Sequence, residues 1–396
     1  MPRPHGVMLR ESFEMKKILI FSSGSELYGS ERGLLSLVDA IKDLYKITVV
    51  LPRRGPLQDC LERRGIPVLV FPLSILTLSL SPLYYLLTPF LFLLDVAFFG
   101  GYTVFKRVDL LYTNNLLLAF PSVIAMLLGR KHIWHMREFF PVQAVNQMLV
   151  GMARASRSAV ICMSQNIKDV LFPGNDGKHA AVIYEGVTVP PPEGSSSLQE
   201  ENCQRPADAV VLAVVSRIHP SKGQLELVKM MCEASKAFPR KPILLIVGDV
   251  SPHDLRGMNY KRKIEQYVRL RGMEKAILFC GFRKDIPAIL SSVDVCVFPF
   301  QRNEPFGLAL LEALVLSKRV LITMNPGSRE ILNYFDGKYK ELSGPSLEGE
   351  IAAGKLPFAA PFIPEVFQFK SYKQSIRLFF ERVGSKRSGG IPDLEL

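Results

Sequence analysis

Short apolar runs alternate along this chain with longer stretches whose apolar residues recur every three or four positions. The first run, 18–22, ends in small residues and leads through Gly24 and Gly29 into a segment with apolar positions at Leu34, Leu35, Leu37, Val38 and Ile41. That spacing predicts a strand, a turn and a helix over about 31–42. The cycle continues with a strand at 47–51 closed by Pro52, a helix near 56–64, and strands at 68–71, 110–113, 132–135 and 159–162. A second series begins at Ala209, with strands at 210–215, 243–247, 276–279, 295–298 and 320–323. Helices at about 221–237, 258–271, 285–291 and 306–316 separate them. Alternation of this kind predicts an α/β fold of two doubly wound, Rossmann-like parallel sheets. Between the series lies an aperiodic Pro/Gly/Ser stretch, 189–197, which reads as a linker. The expected organisation is an N-terminal extension (1–14), a first domain (15–190), a linker (191–207), a second domain (208–366), a final amphipathic helix (367–383) and a disordered tail (384–396).

One stretch breaks the rhythm. Residues 73–101 carry a single charge, Asp95. The length suits a bilayer span. Pro82, Pro89 and Asp95 oppose one, as do strands of one sheet on either side. A monotopic helix seated in a membrane surface through Phe90, Leu91, Phe92, Leu93, Leu94, Phe98 and Phe99 is the expectation, with a buried core helix and a true span as the alternatives. Lys106 and Arg107 follow it and suit lipid phosphates.

Charge sharpens this picture. The 396 residues carry a net charge of +12, which favours an anionic partner: a nucleotide phosphate, an anionic membrane surface or nucleic acid. No RNA-binding or helix-turn-helix motif is present, so nucleic acid is set aside. The six cysteines (Cys60, Cys162, Cys203, Cys232, Cys280 and Cys296) show no CxxC or Cys/His ligand spacing. They are expected to be free thiols in a reducing compartment, with no metal site. No secretory signal is visible, and residues 1–14 read as an extension or a misassigned start.

Candidate chemistry concentrates in the second series. Glu304 and Glu312 lie eight positions apart around Pro305, Phe306, Gly307 and Leu308. Pro305 suits the first position of a helix, which would leave Glu304 just before it and Glu312 about two turns inside. The free N–H groups of Phe306, Gly307 and Leu308 would then form an anion cradle between two carboxylates. Such a site suits a sugar, a diphosphate and a ribose in that order, the ribose diol donating to an acceptor-only carboxylate. Arg217 and Lys222 follow the first strand of the series, where two cations would neutralise a leaving diphosphate. In the first domain, backbone N–H groups at Gly29 and Ser30 offer an approach to phosphate, and His135 stands at a strand end.

The string from Asn303 to Leu314 resembles the motif of retaining, family 4 type glycosyltransferases of the GT-B fold (glycosyl transferases group 1). Other segments are similar in the same order: Tyr28-Gly29-Ser30-Glu31-Arg32 to its Gly-rich loop, Ser216 to Gly223 to its Arg…Lys-Gly phosphate motif, and Asn325 to Ile331 to the segment after the Glu pair. The resemblance runs from about Met15 to Val383. It implies two domains facing across a cleft, with the last helix crossing back to the first. It places Glu304 by the transferred sugar, Glu312 on the ribose, His135 near the donor sugar, and Phe282 and Arg283 at the nucleobase. Arg137 and Glu138 are expected to pair with each other. Glu185 departs from the family, which has Asn there, and takes no assigned role.

The expected activity is retaining, metal-independent transfer of a sugar from a UDP- or GDP-linked donor to an acceptor hydroxyl, without a cofactor. The basic, apolar first domain points to a lipid-linked or membrane-associated envelope saccharide as acceptor, and to a cytoplasmic protein peripheral to the inner face of the cell membrane. A nucleotide-sugar epimerase and a non-catalytic, membrane-associated nucleotide-sugar-binding protein are the alternatives. Intact Arg217, Lys222, Glu304 and Glu312 argue against the second, and the acid/base carboxylates required by the first are not identified.

Overall fold

The computed structural model describes residues 15–76, 82–175, 180–188, 209–236, 242–251, 254–354 and 361–385. The linker, the residues before 15 and the expected tail beyond Ser385 lie outside the described residues; Gly384 and Ser385, expected in the tail, instead end the final helix. The first parallel sheet contains β1 (Lys17–Phe21), β2 (Lys46–Leu51), β3 (Val68–Val70), β4 (Leu110–Thr113), β5 (Lys131–Met136), β6 (Ala159–Cys162) and β7 (Ala180–Val182), in the order β3-β2-β1-β4-β5-β6-β7. Its helices are α1 (Gly29–Ile41), α2 (Pro56–Glu62), α3 (Pro82–Phe105), α4 (Phe120–Leu128), α5 (Gln143–Ala155) and α6 (Gln165–Leu171). The second sheet contains β8 (Val211–Val215), β9 (Ile243–Val247), β10 (Ile277–Gly281), β11 (Val295–Phe298), β12 (Val320–Ile322) and β13 (Tyr339–Glu341), in the order β10-β9-β8-β11-β12-β13. Its helices are α7 (Gln224–Ala234), α8 (Leu255–Leu270), α9 (Ile286–Ser292), α10 (Leu308–Leu316), α11 (Pro326–Leu332) and α12 (Gly344–Ala353), and α13 (Phe369–Ser385) closes the described chain.

The α/β expectation holds. The central strands are buried on both faces, which is why they read as continuous apolar runs rather than alternating ones. Two edge strands, β7 and β13, escaped the reading: each has three residues, and Tyr339-Lys340-Glu341 is polar. Strand order reverses between β1 and β4 in the first sheet and between β8 and β11 in the second. At such switch points the loops beyond the strand ends part and leave a crevice. The loops after β8 and β11 carry the candidate residues Arg217, Lys222 and Glu304, and the loop after β1 leads into Gly29 at the start of α1.

Helix α13 returns to the first domain. Its Tyr372, Ile376, Phe379 and Phe380 are buried in one cluster with Leu34, Leu37, Val38 and Ile41 of α1. Arg377 donates to Asp43 at 2.5 Å and to the Ala40 carbonyl at 2.9 Å.

Helix α3 is the crossover between β3 and β4, so both its ends are tied into one sheet. Asp95, Phe99 and Thr103 form its inner stripe, buried. Asp95 faces the domain and accepts from the Ser74 N–H at 2.7 Å and the Ser74 hydroxyl at 2.5 Å. Phe99 packs edge-on against Phe21 and Phe71 and stacks on Phe120. The outer face is apolar and open: Leu86, Phe90, Leu93, Leu94, Phe98 and Phe105 are exposed. The stretch 86–105 is long and apolar enough to cross a membrane. Phe92 is only partly buried and packs against the core, unlike Phe90.

Cys60, Cys162, Cys232 and Cys296 are free thiols, as expected. Cys280 is not: it is disulfide-bonded.

Candidate active site

The turn after β8 sets the first cation. Ser221 and Lys222 lie in a single 3-10 turn that His219 caps by accepting from the Ser221 N–H. Gly223 ends it at φ +72°, where a Cβ would stand 1.8 Å from the Pro299 carbonyl oxygen. Only glycine lets the two loops touch there. Gln301 N–H then donates to the Ser221 carbonyl at 3.0 Å, which fixes the β11 loop beside the turn. The result is an ion pair between Lys222 Nζ and Glu304, with the ammonium 5.2 Å above the Phe300 ring. Arg217 is exposed, and its charge reaches Tyr28, Glu138 and His219. Burial and then Arg217 push the His219 pKa down to about 4, so His219 is neutral at pH 7.

Helix α10 begins later than Pro305 predicts. Its first residue is Leu308, capped by Gly307 at φ +94°. Three residues of loop therefore separate Glu304 from the helix, and the unpaired N–H groups belong to the turn starting at Leu308. Phe306 does not line an anion site with its side chain. It is fully buried and stacks on Tyr184, with centroids 5.9 Å apart, at the junction of the two domains. Glu312 is nearly buried and accepts from Arg32 Nη1 at 3.1 Å and from Arg32 Nη2.

The other side of the crevice comes from the first domain. Gly29 and Ser30 are not loop residues; they open α1, after Tyr28. A Cβ on Gly29 would stand 3.7 Å from Leu308 Cδ1, so the starts of α1 and α10 face each other. Ser30 donates to Glu31 at 2.7 Å, and its carbonyl accepts from Asn114 at 3.1 Å. Burial raises the Glu31 pKa despite that donor. Phe282 is exposed and meets the edge of Tyr28, centroids 6.4 Å apart. Arg283 is engaged by its neighbour, donating to Asp285 from Nε at 2.8 Å and Nη2 at 2.7 Å.

His135 stands behind this surface. It is fully buried, with Nδ1 2.5 Å from the Tyr112 hydroxyl and its Nε2 without a hydrogen-bond partner among the described residues. Burial, reinforced by Arg137, holds its pKa well below the usual value, so the ring is neutral. Arg137 does not pair with Glu138. It forms a buried ion pair with Glu185 and donates to Asn114 at 3.1 Å. Glu185 thus has a structural partner where the family pattern has Asn.

Several bridging residues left no mark in the sequence. Arg32 sits inside a motif quoted above, yet its partner is 280 positions away. Glu330 of α11 accepts from the Gln165 and Asn166 N–H groups at 2.5 and 3.0 Å, and Ser164 donates to the Pro305 carbonyl at 2.7 Å. These contacts join the domains where α6 starts. Among the described residues no group of three or more His, Cys, Asp or Glu side chains is placed to hold a metal ion.

A crevice walled by two helix starts, two cations and two carboxylates has the chemistry to hold a phosphorylated ligand. Residues 198–339 match the family described as Glycosyl transferases group 1. The matched residues fall on most of the second domain and on under half of the chain. Over 211 residues the chain is 27% identical to the Escherichia coli UDP-Gal:alpha-D-GlcNAc-diphosphoundecaprenol alpha-1,3-galactosyltransferase, covering 51% of this chain and 52% of that protein. The match spans about half the length of that curated relative. Among solved structures, Anabaena Alr3699/HepE in complex with UDP and glucose superposes with a TM-score of 0.69 at 22% identity, covering 93% of this chain and 98% of that one. WaaG, a glycosyltransferase involved in lipopolysaccharide biosynthesis, superposes with a TM-score of 0.60 at 11% identity, covering 93% and 95%. At these identities the likeness establishes the fold, which is GT-B.

Proposed function

We propose that this protein is a retaining, metal-independent group 1 glycosyltransferase that moves a sugar from a UDP- or GDP-linked donor to the hydroxyl of a lipid-linked envelope saccharide. The observation that carries the reading is the meeting of Lys222, Glu304 and the start of α10 at the switch point of the second sheet, opposite the start of α1. In this reading Arg217 and Lys222 stabilise the charge that develops on the leaving diphosphate. N–H groups around Gly307 and Leu308, with Phe306 bracing the loop, hold the phosphates, and Gly29 and Ser30 close over them. Glu312 accepts from the ribose, Phe282 and the backbone at Arg283 hold the base, and Glu304 lies by the sugar. The bond from the anomeric carbon to the phosphate oxygen breaks as the acceptor oxygen attacks from the same face. The acceptor's proton passes to the departing phosphate.

The lipid-linked acceptor is supported by two facts. The Escherichia coli relative is named for a diphosphoundecaprenol-linked acceptor. The open face of α3 continues onto Met126 and Leu127 of α4, with exposed Lys106 and Arg107 at its end. That pairing of apolar surface with cations fits peripheral attachment to the inner face of the cell membrane, from the cytoplasm. Nucleotide release from a panel of UDP- and GDP-sugars, with and without membrane lipid extract, tests the proposal. Release that depends on one donor and rises with extract is expected. No release with any donor defeats it.

A further inference from the structure

Two contacts bridge the cleft at the positions assigned above to the donor's nucleoside, and both come from one turn of α1. The Tyr28 ring stands edge-on to Phe282, at an interplanar angle of 89°. One turn further on, Arg32 makes two hydrogen bonds to Glu312. The Arg32 N–H donates to the Tyr28 carbonyl at 2.9 Å, so the two side chains are carried by a single hydrogen-bonded turn.

We propose that the first turn of α1 is a built-in occupant of the donor's nucleoside site, Tyr28 taking the place of the base and Arg32 that of the ribose. Donor binding must then displace both, and Tyr28 and Arg32 are positioning residues that report donor occupancy to the first domain. The inference rests on the proposed donor site, because it takes Glu312 and Phe282 as ribose and base contacts. The chemistry of exchange is matched. A nucleobase offers Phe282 an aromatic surface, as Tyr28 does. Ribose hydroxyls donate to Glu312, as the guanidinium does. Arg32 is also the looser partner: its side chain is 45% exposed against 10% for Glu312, so it can swing toward solvent while Glu312 stays in place. Glu185, the other carboxylate that acts on Arg32, is already held by Arg137.

Titration calorimetry with UDP and with GDP tests this on the full chain, comparing wild type with Arg32→Ala, Tyr28→Ala and Glu312→Gln. Removing a competitor raises the competent fraction, so Arg32→Ala is expected to bind the preferred nucleotide about three- to ten-fold more tightly. A bracing residue would not do this when deleted. Tyr28→Ala, at the other contact, is expected to move affinity in the same direction and carries the test should Arg32→Ala fail to fold. Glu312→Gln is expected to weaken binding. Unchanged or weaker binding in both α1 variants, with Glu312→Gln still weakened, overturns the built-in occupant and leaves the donor site standing. Absence of binding in wild type and every variant overturns both.

Discussion

Membrane attachment through α3 can be quantified from the structure. Leu86, Phe90, Leu93, Leu94, Phe98 and Phe105 expose between 45% and 80% of their surface. Full burial of such a side chain is worth roughly 1.5–3 kcal/mol, so each contributes about 1–2 kcal/mol on entering lipid and the six together about 6–12 kcal/mol gross. Ordering and polar desolvation consume part of this, which leaves reversible binding that needs the basic surface as a second contribution. Replacing Leu86, Phe90 and Leu93 with Ser removes about half the apolar term, roughly 3–6 kcal/mol, or about 10²–10⁴ in the partition coefficient. These side chains face outward, whereas Phe99 packs against Phe21, Phe71 and Phe120, so the triple variant should melt close to wild type. The assay is co-sedimentation with vesicles of defined anionic lipid content, run from low to high salt, beside thermal melting. Binding that falls with salt and collapses in the triple variant is expected. A triple variant that still sediments refutes the reasoning. So does one that unfolds, which would make the face a core surface, or a wild type that resists both high-salt and alkaline washing, which would make α3 a span.

Four other outcomes are expected. Lys222→Ala and Arg217→Ala should each lower turnover by about 10²–10³ while circular dichroism is unchanged; near wild-type rates with both replaced would remove them from the leaving-group site. Nucleotide release should persist in EDTA, and complete loss restored by a divalent ion would reverse the assignment of charge stabilisation to side chains. Glu185→Ala should destabilise the fold by roughly 3–5 kcal/mol in denaturant titration, because it strands the buried Arg137 charge, and a loss under 1 kcal/mol would count against the pair. Burial lowers the His132 pKa to about 3, so the unfolded chain binds the extra proton between there and its ordinary value. Stability from this group is present above pH 6.5 and is lost as pH falls, at about 1.4 kcal/mol per unit; His132→Asn should flatten the slope by that amount between pH 4 and 6.

Much of this protein was written in its local sequence. Runs such as Val211–Val215 and Ile243–Val247 are apolar because both faces of a parallel strand are covered, and that need produces a periodicity readable without coordinates. The glycine of Lys222-Gly223, the pair Glu304 and Glu312, and the apolar stretch around Phe90 were legible for the same reason: each depends on neighbours within a few residues. Helix α10 shows the limit even at short range, since Pro305 invites a helix start that Gly307 defers. Pairings were hidden altogether. Nothing near Arg32 names Glu312, nothing near Arg137 prefers Glu185 over the adjacent Glu138, and His135 at a strand end gives no sign that Tyr112 covers it. Nor does the composition of 73–101 say that Asp95 turns inward to Ser74 while Phe90 turns out. Charge and hydrogen-bonding partners are chosen by distance in space. In a doubly wound sheet the loops that meet at a switch point are separated by whole crossover units, so only the tertiary structure decides which side chains share the crevice.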